Sequence, residues 1–237
     1  MQRKRLQRLV PAAPTGSFLP SSTGPQSPVP RPMNRPSKIV CVGRNYVEHA
    51  RELGNEVPTE PLIFLKPPSS VIPTGAFIER PPQSIQVEHE GEIGILIGKP
   101  LRRVSEEEAV SGIAGIVAVN DVTARDLQRK DSQWTRAKGF DTFCPVGNVH
   151  EGHVDLNALQ LVTTVNDEVR QKASSAEMVF KIPMLLSFIS HIMTLEPGDL
   201  VATGTPSGIG PLRAGDTVEV TIAGISRVRN PVRDVVQ

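Results

Sequence analysis

The chain reads as an α+β domain built mainly from β-strands. Three observations predict this. Short runs rich in Val, Ile, Leu or Thr, each bounded by Gly, Pro or Asp, recur from Lys38 onward. Few stretches carry apolar residues at helical spacing. The strands do not alternate regularly with long helices, as a doubly wound parallel sheet requires.

The elements follow in order. Residues 1–36 hold eight of the 22 prolines and six basic side chains with no acid. Such a stretch buries too little apolar surface to fold. Two readings compete: an organelle transit peptide, mitochondrial or plastid, or an over-extended reading frame whose true start is Met33. The abrupt change at Lys38 fits the second, which places the protein in the cytoplasm. Residues 37–237 then form one domain. Its strands are expected at Ile39–Val42, Leu62–Leu65, Ile93–Ile97, Ile113–Asn120, Leu159–Val165, Leu200–Thr203 and Val218–Ile222. Asn166-Asp167 lies between alternating runs and predicts a hairpin turn; Ala223-Gly224 is a second candidate. Helices are expected at Tyr46–Leu53, after the capping box Ser105-Glu-Glu-Glu108, at Thr123–Arg129, and at Pro183–Met193. In the last, Leu185, Leu186, Ile189, Ile192 and Met193 fall at helical spacing behind a starting proline.

Composition narrows the function. Of 237 residues, 38% are hydrophobic and 22% charged, as in a soluble globular protein. No apolar run nears the roughly 20 residues that span a bilayer, which argues against a membrane role. Setting the leader aside leaves 20 basic against 25 acidic residues. A body of that sign has no general attraction to nucleic acid. Cys41 and Cys144 sit among apolar neighbours and read as buried thiols, not a disulfide framework.

The strongest local pattern is Val87-Glu-His-Glu-Gly-Glu-Ile-Gly-Ile-Leu-Ile97. Side chains alternate along a strand. Glu90 and Glu92 therefore share one face, and Ile93, Ile95 and Ile97 share the other. Two neighbouring carboxylates repel and resist desolvation unless a cation or proton lies between them. Asp121 ends another apolar run and adds a third carboxylate. Three such oxygen donors suit hard Mg²⁺ or Mn²⁺. A solvent-facing acidic edge, with Asp121 capping a helix, is the competing reading. Gly91, between the carboxylates, is expected to loosen the strand. His89 reads as a structural histidine, and His150, His153 and His191 likewise.

Further on, His49 and Glu52 lie three residues apart and share a helix face. A carboxylate that holds an imidazole raises its basicity, so the pair can take a proton from water; an ordinary surface pair has the same spacing. Lys138, in Trp134-Thr-Arg-Ala-Lys-Gly-Phe140, can stabilise an enolate beside the aromatic rings, or snorkel at the surface. Thr203-Gly-Thr-Pro-Ser-Gly-Ile-Gly210 is a glycine-rich loop after a strand. Its amides and the Thr205 hydroxyl can hold a carboxylate, or it is only a turn. It lacks a P-loop ending, which argues against nucleotide binding.

These segments come in a telling order. Val42-Gly-Arg-Asn-Tyr46, Phe64-Leu-Lys-Pro67, Glu90-x-Glu92, Asn120-Asp-Val-Thr-Ala-Arg-Asp126, Lys138-Gly-Phe-Asp-Thr-Phe143, Glu196-Pro-Gly-Asp199 and Thr203-Gly-Thr-Pro-Ser-Gly-Ile-Gly210 together resemble the catalytic domain of the fumarylacetoacetate hydrolase family. The likeness covers about residues 38–235 and is greatest to its short members, such as acylpyruvases and oxaloacetate decarboxylases. The resemblance implies a mixed β-sandwich roll and a homodimer. It implies Mg²⁺ or Mn²⁺ on Glu90, Glu92 and Asp121, catalytic roles for His49, Glu52 and Lys138, and substrate contacts from Arg125, Gln128 and Thr205. The expected reaction is hydrolysis of a C–C bond in a 2,4-dioxo acid such as an acylpyruvate. Decarboxylation of oxaloacetate, or a decarboxylase/isomerase step of aromatic catabolism, is the alternative on the same residues. A non-catalytic oxo-acid binder is the third.

Overall fold

The computed structural model describes residues 35–54 and 56–235; both readings of the leader concern residues outside that range, apart from its last two. Seven strands make one mixed sheet. Their order is Leu62–Lys66, Ile39–Gly43, Leu200–Ala202, Gly91–Ile97, Ile113–Asn120, Cys144–Val146 and Val71–Pro73. Ile39–Gly43 pairs parallel with Leu200–Ala202 and antiparallel with Leu62–Lys66. Both faces of the central strands are buried. Val40, Ile93, Ile95 and Ile97 enter one apolar cluster, while Ile39, Cys41, Val119 and Ala202 enter another. Two-sided burial explains why these runs are continuously apolar, without the alternation of a surface strand.

The second sheet has five strands, ordered Glu168–Ser174, Gln160–Val165, Thr217–Ile222, Ser226–Asp234 and Ile78–Arg80. Thr217–Ile222 alternates buried and half-buried positions, as a one-sided strand does. Leu161, Val220, Ile222 and Val228 pack from this sheet against Ile93, Ile95 and Ile116 of the first. The helix Ile182–Ile192 adds Leu186 and Ile189 to the same core. The result is the mixed β-sandwich that the sequence led us to expect. A third, three-stranded sheet, Gly210–Pro211, Val87–His89 and Thr123–Ala124, sits beside them.

Several local expectations hold. Asn166 and Asp167 both take left-handed φ, 53° and 65°, and join a two-residue hairpin. Ser105 caps Glu106–Val110 with both bonds of the capping box, at 3.2 and 2.8 Å. Cys41 and Cys144 are buried and free.

Others are corrected. The run 87–97 is not one strand: it breaks at Glu90, where the chain passes from the small sheet to the large one. The Asn120 side chain accepts the Glu90 N–H at 3.0 Å, and the Glu90 carbonyl accepts from Asp121 N at 2.8 Å. These bonds satisfy the backbone at the step. Thr123–Arg129 is not all helix. Thr123–Ala124 pairs with Val87–Glu88, and the helix is Arg125–Lys130. Gly91 does not loosen its strand either. Its N–H donates to Gln171 at 2.9 Å and its carbonyl accepts from Thr205 at 2.9 Å. A Cβ there would lie 2.0 Å from the Thr163 hydroxyl, so glycine serves a close approach.

Leu186 is fully buried where the helix meets both sheets. Leu186→Ala is expected to cost about 2–5 kcal/mol in urea unfolding. Val169→Ala, at an exposed strand position, should change stability by less than about 0.5 kcal/mol.

Candidate active site

The step at Glu90 and the end of the neighbouring strand at Asn120 bring the acids together. Gly91 faces Asn120 in register, so Glu92 and Asp121 lie at the same end of this strand pair. Oxygen atoms of Glu90, Glu92 and Asp121 all lie within 4.8 Å of one another, and all three residues are buried. The acidic-edge reading is therefore wrong for this protein.

Buried cations answer most of this charge. Lys138 donates to Glu90 at 2.7 Å and to Asp121 at 2.6 Å. Lys66 donates to the other Asp121 oxygen at 2.5 Å and to the Val122 carbonyl at 3.1 Å. Arg125 holds Glu88 at 2.8 Å and also bonds Glu90 and Gln128. Burial works against charge on Glu90, but Lys138 and Arg125 more than offset it and pull its pKa down. Burial likewise opposes the Lys138 ammonium, and Asp121 and Glu90 overcome it, raising its pKa.

Glu92 differs. It is paired with no cation among the described residues, and its recorded hydrogen bond comes from Gly204 N at 2.8 Å. Burial first, then Asp121 and Glu90, push its pKa well above the carboxylate range. A buried acid that resists ionisation beside two others fits a divalent cation: the donors are all hard oxygens, and one charge lacks a counter-ion.

A cavity of about 260 Å³ opens over this cluster. His49, Arg125, Gln128, Lys138 and Thr205 line it together with the three acids. His49 is buried, and its Nδ1 lies 3.3 Å from Glu52. Glu52 in turn accepts from Gly208 N at 3.0 Å, so the glycine-rich loop steadies the pair. Lys138 neither snorkels nor leans on Phe140. Its ammonium lies 5.1 Å from the Phe64 ring centre, while Phe140 packs on Phe143. Thr205 is committed differently from expectation. Its hydroxyl accepts from Gln171 and donates to the Gly91 carbonyl, so its proton serves the strand. His89, buried, meets Gln171 at 3.3 Å, and burial lowers its pKa; its structural reading holds.

Four residues escaped the sequence reading. Lys66 stands in the motif Phe64-Leu-Lys-Pro67, and its signal was a lysine closing an apolar strand. Glu88 shares the period of two with Glu90 and Glu92. Arg44 and Arg129 also line the cavity. Arg44 takes φ 58°, a conformation uncommon outside glycine, directly after the first strand.

A family comparison now bears on this site. Residues 38–233 match the model of the fumarylacetoacetate (FAA) hydrolase C-terminal domain. The chain belongs to the fumarylacetoacetate hydrolase family, an enzyme family whose members commonly bind a divalent metal. It is 45% identical over 195 residues to a mitochondrial oxaloacetate decarboxylase of Dictyostelium discoideum, covering 79% of this chain and 89% of that one. It is 44% identical over 209 residues to a mitochondrial oxaloacetate tautomerase of Arabidopsis thaliana, covering 86% and 94%. Among solved structures, it resembles a 2-hydroxyhepta-2,4-diene-1,7-dioate isomerase from Mycobacterium marinum. The TM-score is 0.79 at 45% identity, over 86% of this chain and 77% of that one.

The raised pKa of Glu92 sets a sign. Burial and the two neighbouring acids favour the protonated form of Glu92, and a cation must displace that proton. Mn²⁺ affinity should therefore weaken as pH falls, with net proton release in calorimetry. Glu92→Gln should abolish the release and most of the affinity.

Proposed function

We propose that the protein is a divalent-metal enzyme acting on oxaloacetate or a closely similar small 2-oxo dicarboxylate, moving a proton at C3 and, on the same site, releasing CO₂. The observation that carries this reading is the charge left over on the cavity wall. Arg125 and Lys138 are spent on Glu88, Glu90 and Asp121. Arg44 and Arg129 line the same cavity without a carboxylate partner among the described residues; Arg129 bonds Gln86. A second carboxylate on the substrate fits those two guanidinium groups. The named activities of the Dictyostelium and Arabidopsis relatives support the same choice.

The residues divide the work. Mg²⁺ or Mn²⁺ held by Glu90, Glu92 and Asp121 would supply a Lewis acid toward the 2-oxo carboxylate end. His49 takes or returns the proton at C3. Its Nδ1 faces Glu52, which orients the ring and leaves Nε2 for the substrate. Lys138 lines the cavity and has a third N–H beyond those given to Glu90 and Asp121, and this donor meets the developing enolate oxygen.

The same His49–Glu52 pair suits activation of a water, so C–C hydrolysis of an acylpyruvate is the second reading. Parallel assays separate them: oxaloacetate and acetylpyruvate, each with Mg²⁺ and then EDTA, with enol decay and products followed. The first reading expects metal-dependent loss of the oxaloacetate enol, or pyruvate release, and little acetate from acetylpyruvate. Acetate and pyruvate from acetylpyruvate alone would move the assignment to hydrolase. Arg44→Met should raise the KM for oxaloacetate about tenfold, the equivalent of about 1.4 kcal/mol, and leave Mn²⁺ affinity unchanged.

A further inference from the structure

Gln171 belongs to the second sheet, yet its side chain reaches the site. It lies on the strand Glu168–Ser174, which carries a bulge: Thr164 faces Val169, Thr163 faces Gln171, and Arg170 is left without a partner. Bulges re-aim the side chains beside them, and here Gln171 is turned inward to 1% exposure between polar neighbours.

Its amide is fully used. The oxygen accepts from Gly91 N at 2.9 Å and faces His89 Nδ1 at 3.3 Å. The nitrogen donates to the Thr205 hydroxyl at 2.7 Å and to the Pro206 carbonyl at 2.8 Å. One side chain thus ties the residue between Glu90 and Glu92 to the loop that lines the cavity. Two glycines permit the approach. A Cβ on Gly91 would stand 3.2 Å from the Gln171 oxygen, besides its clash with Thr163, and a Cβ on Gly208 would stand 2.1 Å from the Arg170 carbonyl. Gly208 has φ +94° and carries the N–H that holds Glu52.

We propose that Gln171 is a positioning residue, setting the spacing of the Glu90–Glu92 carboxylates and the height of the Thr205 loop above them. The proposal rests on the reading of that cluster as a metal site. A buried amide with four satisfied bonds does more than stabilise: it fixes two functional segments relative to each other. Partners of this kind, behind the ligands, typically alter metal affinity or activity by about 10- to 100-fold when removed.

The test uses the whole chain and three variants. Gln171→Met keeps the length and loses every bond. Gln171→Glu keeps an acceptor for Gly91 N and loses the donors to Thr205 and Pro206. Asn230→Ala removes another buried amide, one bound to Pro73 and Ala76 outside the cavity. Mn²⁺ affinity is read by calorimetry, oxo-acid binding by the KM for oxaloacetate or by pyruvate affinity of the Mn²⁺-loaded protein, and stability by Tm. Gln171→Met should weaken Mn²⁺ binding by about 10- to 100-fold, and Gln171→Glu should raise KM or weaken pyruvate by about tenfold. Asn230→Ala should lower Tm with both readouts unchanged. Wild-type Mn²⁺ affinity in Gln171→Met overturns the proposal. If that variant does not fold, wild-type oxo-acid binding by Gln171→Glu overturns it. Equal changes in Asn230→Ala overturn it too, because they would reduce the effect to lost stability. A wild-type protein without turnover would count against the proposed reaction, while the Mn²⁺ arm still reads Gln171.

Discussion

The site depends on an imbalance of buried charge. Glu88, Glu90, Glu92 and Asp121 face Lys66, Arg125 and Lys138, and all seven are buried. Burying a charge costs several kcal/mol unless it is paired and hydrogen-bonded. Three acids have such partners. Glu92 has the amide of Gly204 and two acidic neighbours. The cluster is thus short of positive charge at one place, and that place is the floor of the cavity. A divalent cation there, in exchange for the Glu92 proton, makes the local balance positive, which suits an anionic oxo acid and its enolate.

The backbone arrangement follows from the same need. Each acid must point inward while its main chain stays satisfied. Asn120 supplies a side-chain acceptor where the chain steps between sheets, and Gly204 turns its N–H onto Glu92 with φ +99°. Asn45 holds that turn from the far side, donating to the carbonyls of Thr203 and Phe180 at 2.8 and 3.0 Å. Gln171 grips it from the other. Glu92 thereby sits on a strand, Glu90 at the step between sheets and Asp121 just past a strand end, while the helix Val47–Glu52 carries His49 and Glu52.

Much of this was legible along the chain. The apolar runs announced the strands, because hydrophobic residues with turn residues at their ends have few other folded solutions. The Asn166-Asp167 turn and the Ser105 capping box were readable because each is a local bargain between a side chain and a backbone group only a few residues away. The proximity of Glu90 and Glu92 was read correctly although the strand breaks at Glu90, and the ordered motifs named the family. Lys66, Glu88 and Gln171 were harder. A lysine in a strand, a third glutamate and a glutamine on a hairpin look like surface residues until their partners, up to 82 positions away, are known.

The sequence by itself determined the fold class, the family, and the identity of the three clustered acids with the His49–Glu52 pair, since these rest on local periodicity and motif order. Only the tertiary structure decided that the acids are buried, that Lys66 and Lys138 split the charge of Asp121, that Glu92 is left uncompensated, and that Arg44 and Arg129 face the cavity with charge to spare. The reason is physical. Local patterns record which face a residue takes, whereas the ionic balance of a site is set by groups that meet only after distant strands have paired.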